Sequence, residues 1–105
     1  MSNENFDEFV QELNPIEKKI LLECGKINIS VKKNISEETI KKKMPDEFMP
    51  KFNKSLKNLL SRGLMVRYRP HNYGLSKEGR IIAKKIKEKN EKELYSNLRI
   101  LMFFD

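Results

Sequence analysis

Nine side chains between positions 51 and 71 share one chemistry. Lys51, Asn53, Lys54, Lys57, Asn58, Ser61, Arg67, Arg69 and His71 offer ammonium, guanidinium, amide, hydroxyl and imidazole groups, and no Asp or Glu lies among them. Such a set suits a polyanion. Lys and Arg neutralise phosphate or reach guanine, and Asn58 has the amide that pairs bidentately with adenine. His71 taken alone is an ordinary turn residue. The sequence holds one His and one Cys, too few for a protein-only metal site or a Cys/His nucleophilic pair. It also lacks a base-and-nucleophile constellation and a Gly-rich phosphate loop, so no enzymatic activity, metal or cofactor is expected. Cys24, set among Ile20, Leu21 and Leu22, reads as a buried, inert thiol.

The elements that must position these groups follow from hydrophobic spacing. Phe52, Leu56, Leu59 and Leu60 fall at i, i+4, i+7 and i+8, one face of a helix spanning about 50–62. The opposite face then carries Lys54, Lys57, Asn58 and Ser61, with Asn53 at its edge. Gly63 supplies a left-handed stop. Leu64 to Arg69 alternates, which predicts a strand with Leu64, Val66 and Tyr68 on the buried side and Met65, Arg67 and Arg69 on the other. Pro70, His71 and Asn72 are turn formers, and Tyr73, Gly74 and Leu75 return as a second strand before Ser76 caps another helix.

The chain around this unit reads as helices. Phe6, Phe9, Val10 and Leu13 form a short amphipathic stripe. Asn14 caps a second helix with Pro15 at its first position and Glu17 in its first turn; Gly25 is expected to end it, and Leu13, Ile16, Ile20 and Cys24 to face the core. Ile27, Ile29 and Val31 alternate with polar residues and predict a third strand for the hairpin. Ser36 caps the next helix, with Ile35 and Ile40 as a hydrophobic staple, and Pro45 ends it at Met44. Pro50 belongs at the first position of the following helix, with Phe48 tucking the intervening turn onto the core. After Ser76, residues Gly79, Ile82, Ala83 and Ile86 line one side of a helix expected to reach about Lys92, with a break near Asn90. Leu94, Leu98, Leu101 and Met102 then resume an apolar stripe.

A chain of 105 residues with 38% hydrophobic composition can close one core. We expect a single domain over 1–105: an N-terminal helix (1–14), a central unit (15–86) and a C-terminal helical extension (87–105). The net charge of +7 is uneven: residues 1–14 carry four acids and no base, and 46–75 carry six bases against two acids. An acidic end on a basic body suits a domain with one face toward polyanion. No apolar run approaches the ~20 residues of a membrane span. The polar, acidic start lacks the regions of a signal peptide, so a cytoplasmic, reduced protein is expected.

The run SLKNLLSRGLM, the basic hairpin and YGLSKEGR resemble the recognition helix, wing and following helix of winged helix-turn-helix proteins, above all small archaeal and MarR-like transcription regulators. The resemblance covers roughly 15–86 and rests on Leu56, Leu59, Gly63 and Leu64, then Tyr73, Leu75, Ser76 and Gly79. It implies a mainly α fold with a small antiparallel β-sheet and additional terminal helices. It also implies double-stranded DNA as the partner, with the helix at about 50–62 in the major groove and a basic wing at about 67–73 on the backbone or minor groove. A protein-interaction module of a larger assembly, or an RNA-binding winged helix, is the alternative. With Tyr68 and Tyr73 turned inward, no aromatic platform for RNA bases is expected. Phe6, Phe9, Val10, Leu13, Leu94, Leu98, Leu101 and Met102 are expected to build a homodimer from the two ends of the chain.

Overall fold

The computed structural model describes the backbone of residues 3–103 and the side chains of residues 7–93. Five α-helices surround a three-stranded antiparallel sheet: α1 Asn3–Glu12, α2 Pro15–Lys26, β1 Ile35–Ser36, α3 Glu37–Lys42, α4 Met49–Ser61, β2 Met65–Arg69, β3 Asn72–Leu75 and α5 Lys77–Phe103, with a 3-10 turn at Asp46–Phe48. The strand order is β1-β3-β2. The fold class is the one expected, mainly α with a small antiparallel sheet. Among the described residues, no helix is long and apolar enough to cross a membrane.

Local chemistry sets the helix ends. Asn14 Oδ1 accepts from the Glu17 amide at 2.7 Å while Glu17 Oε1 accepts from the Asn14 amide at 2.9 Å, a complete capping box at the start of α2. Ser36 Oγ accepts from the Thr39 amide at 3.1 Å to open α3, and both staple residues, Ile35 and Ile40, are buried. Helix α3 stops at Lys42, two residues before the expected end at Met44. Helix α4 starts at Met49, with Pro50 in its first turn where a missing N–H is harmless, and Phe48 packs partly buried on the core.

Two helix stops use the same device. Gly63 has φ +74°; its amide donates to Leu60 O at 3.1 Å, and the Leu64 amide donates to Leu59 O at 3.0 Å. At the end of α2 the left-handed residue is Asn28 (φ +57°), whose amide donates to Gly25 O at 3.1 Å, with the Ile29 amide on Cys24 O at 3.1 Å. This corrects two expectations. Gly25 lies inside α2, where its missing side chain admits Ala83 of α5: a Cβ on Gly25 would stand 2.9 Å from Ala83 Cβ. Ile29 is buried as the hydrophobic anchor of the helix stop and not as a strand residue. The third strand is therefore Ile35–Ser36, paired with β3 through Ile35 and Tyr73, and Ile27–Val31 is a loop.

The hairpin also departs from simple alternation. Met65 pairs with Leu75 and Arg67 with Tyr73, so these four share the sheet's inner face, and Met65 and Leu75 are fully buried there. Met65, expected outside, is core. A bulge falls between Arg67 and Arg69, because Arg67 pairs with Tyr73 and Arg69 with Asn72. Tyr68 is the extra residue. It lies 57% exposed, opposite to the expected inward placement, whereas Tyr73 is buried as expected.

One cluster joins Val10 and Leu13 of the N-terminal segment to α2, α4, the sheet and Ile82, Ala83 and Ile86 of α5. Burial of Val10 and Leu13, with Phe9 packed beside them, shows that α1 uses its apolar stripe within the chain. These residues are thereby removed from the expected dimer surface. Asp7 and Lys85, 3.3 Å apart, tie α1 to α5. Helix α5 runs unbroken past Asn90 to Phe103. The side chains of Phe6, Leu94, Leu98, Leu101 and Met102 lie outside the described residues. Cys24 is buried, and burial pushes its thiol pKa up to about 12, so it stays protonated and unreactive at neutral pH.

Candidate nucleic-acid interface

Helix α4 buries Phe52, Ser55, Leu56 and Leu59, and this fixes what its other side presents. Lys51, Asn53, Lys54, Lys57, Asn58 and Ser61 are all exposed, as the wheel requires. Asn14 Nδ2 reaches the buried Ser55 Oγ at 3.5 Å, so the cap of α2 also holds the back of α4.

Charge pairing separates two classes of cation. Lys19, Lys26, Lys41, Lys42, Arg62 and Lys85 each have a carboxylate within 4.0 Å. Among the described residues, no carboxylate lies that close to Lys51, Lys54, Lys57, Arg67 or Arg69. No carboxylate at that range competes with a partner for these five. The acid-free run is nevertheless not acid-free in space. Arg62 meets Glu12 at 3.7 Å and lies over the Phe9 ring at 5.3 Å, and His71 Nδ1 lies 3.5 Å from Glu37 Oε2.

Glu37 is the residue that the sequence window missed. It opens α3, and its amide donates to His71 O at 2.8 Å while Tyr73 Oη donates to its Oε1 at 3.5 Å. The hairpin tip is thus fastened to the first turn of α3. His71, with φ +62°, is a turn residue held by this contact. Arg67 and Arg69 are exposed, but the bulge sends them to opposite faces of the hairpin, whereas alternation had placed them together.

The junction between α4 and the hairpin is built by the residues on which the resemblance rests. Ser76 Oγ donates to Gly63 O at 2.6 Å and accepts from the Gly79 amide at 3.0 Å, while the Ser76 amide donates to Leu64 O at 3.1 Å. The two sequence runs therefore lock onto each other. Their residues position the interface and do not form it.

A second basic surface escaped the sequence reading. Lys77, Arg80, Lys84 and Lys87 of α5, with Lys26 of α2, rim a cavity of about 420 Å³ floored by Leu22, Gly25, Ile81 and Ala83. The signal was present as the 3-4-3 spacing of those four cations along one helix flank. This chain matches no protein-family model, no curated protein and no solved structure.

Proposed function

We propose that this chain is a cytoplasmic duplex-DNA-binding protein of the winged helix-turn-helix kind, acting as a transcription regulator. The observation that carries the proposal is the set of five exposed cations on α4 and the hairpin with no carboxylate within 4.0 Å. Support also comes from the order of elements, in which α3 and α4, joined by the link 43–48 with its 3-10 turn, precede a basic hairpin whose central strand β3 pairs with β1. In this reading α4 lies in the major groove with Asn58 on a base edge, and the hairpin follows the backbone.

The substitutions Asn58→Ala and Arg69→Ala test this division. Asn58→Ala is expected to relax preference at one base position by about 1–3 kcal/mol, whereas Arg69→Ala weakens all duplexes alike and lowers the salt slope by about one. Competition binding across a randomised duplex pool separates the two effects. Equal losses of specific and non-specific binding in both variants would contradict the groove assignment.

The protein-interaction alternative draws on one observation, the exposure of Val31 and Tyr68. Two side chains are well short of the several hundred Å² that mark a protein-docking patch.

Two copies associate, in the same proposal, through the end of α5. Residues 87–93 are exposed throughout, so the helix has left the core before Leu94, Leu98, Leu101 and Met102 resume a helical stripe in the sequence. Such a dimer would set two recognition helices about one duplex turn, ~34 Å, apart. Light scattering at micromolar concentration is expected to give a dimer mass, and Leu98→Glu with Leu101→Glu a folded monomer. A wild-type monomer refutes the association.

A further inference from the structure

We propose that the outer face of the hairpin, centred on Tyr68, stacks on an unpaired nucleobase while Arg69 holds the adjoining phosphate. The proposal deepens the nucleic-acid reading above and rests on it for the identity of the partner.

The geometry begins with the bulge. Residues directly paired across antiparallel strands share a face, so Arg69, paired with Asn72, lies on the face opposite to Arg67 and Tyr73. Tyr68 follows Arg67 and turns to that same outer face. A bulge re-aims side chains in this way, and here it sets an exposed phenol ring beside an exposed guanidinium. Neither group is engaged within the chain: among the described residues, Arg69 has no carboxylate within 4.0 Å and no cation lies over the Tyr68 ring.

The rest of that face is closed by the loop after α2. Val66 pairs with Gly74, and a Cβ on Gly74 would fall 2.3 Å from Ser30 O and 3.4 Å from Val31 Cα. The Ser30–Val31 backbone therefore covers the hairpin at Gly74, and Tyr68 stands one side-chain repeat further along, roughly 7 Å away. Val31 and Tyr68, 52% and 57% exposed, are the exposed large hydrophobics of the described residues, and both border this face. An aromatic ring with an apolar neighbour and an unpaired cation fits a base and its phosphate. Stacking of this kind tolerates any base and is worth about 1–3 kcal/mol, a factor of at least about five in affinity. A perfect duplex keeps its bases stacked within the helix and leaves Tyr68 unused.

The test titrates the full chain with three DNA probes at fixed salt: a two-turn duplex, the same duplex with one unpaired fluorescent purine analogue at its centre, and the single strand carrying that analogue. Wild type is expected to prefer the interrupted duplex over the perfect one by at least about fivefold and to quench the analogue. Tyr68→Phe should retain both effects. Tyr68→Ala should lose both while binding the perfect duplex as before, a result that also reports an intact fold. Tight binding of the perfect duplex with neither preference nor quenching overturns the stacking site alone. Quenching that depends on Tyr68 without affinity for the perfect duplex upholds stacking and overturns the duplex reading. Absence of binding to all three probes overturns both.

Discussion

Raising monovalent salt from about 50 to about 200 mM is expected to weaken duplex binding by about three orders of magnitude. Each neutralised phosphate releases condensed counterions, so log K falls with log salt at about 0.9 per contact. The sequence suggests five to seven phosphate contacts per subunit and a slope of roughly −4 to −6. Structure narrows the sources. Arg62 and His71 already face Glu12 and Glu37, which leaves Lys51, Lys54, Lys57, Arg67 and Arg69 as the cations of α4 and the hairpin without a carboxylate at close range among the described residues. Five contacts give a slope near about −4.5. Replacing Lys54 and Lys57 by Gln should shift the slope by about two, with little change in stability, because both side chains are exposed. A wild-type slope steeper than about −6 would enlist the Lys77, Arg80, Lys84 and Lys87 flank of α5 as well. Fluorescence anisotropy across a salt series measures each of these. A slope near zero, or no binding at low salt, removes DNA as the partner.

The helical part of this molecule was legible because its signals are local and redundant. Asn14, Pro15 and Glu17 announce the start of α2 by residue type alone, and the structure realises them as a capping box. Phe52, Leu56 and Leu59 predict both the buried face of α4 and, by exclusion, its exposed one. Errors arose where one residue type serves two physical purposes. A glycine near the end of an apolar run can stop a helix or admit a neighbouring one; Gly63 does the first and Gly25 the second, and only the position of Ala83 distinguishes them. Alternation over a few residues is equally ambiguous. Ile27, Ile29 and Val31 alternate because one isoleucine anchors a helix stop, and Tyr68 lies on the outer face because Met65, paired with Leu75, sets the phase of the strand although Leu64 is buried too. The candidate interface was readable as a set of basic residues, but the carboxylates that face two basic residues of that stretch were not. Glu12 and Glu37 come from elements remote in sequence, and no window of adjacent residues contains them.

Gly79→Ala is expected to destabilise the fold by about 3 kcal/mol or more, although helix propensity alone predicts a gain of about 1 kcal/mol. Position decides the sign. A Cβ at Gly79 would fall 1.9 Å from Leu64 O and 2.9 Å from Leu64 C, both backbone atoms. That carbonyl cannot swing aside freely. It accepts the Ser76 amide at 3.1 Å, the Leu64 amide is engaged by Leu59 O, and the Leu64 side chain is buried. Moving α5 away instead stretches the Ser76 Oγ contacts to Gly63 O and the Gly79 amide. Overpacking typically costs about 1–3 kcal/mol and each strained hydrogen bond about 1 kcal/mol more, which outweighs propensity. For a domain of this size the melting temperature should fall by more than about 10 °C. Gly63→Ala is the informative comparison, since its Cβ meets nothing within 4 Å and only the positive φ of 74° opposes it. Its cost should stay near about 1–2 kcal/mol. Urea unfolding followed by circular dichroism, at one protein concentration for all variants, ranks them directly. A Gly79→Ala chain as stable as wild type would mean that the Leu64–Gly79 contact does not set the angle between α4, the hairpin and α5.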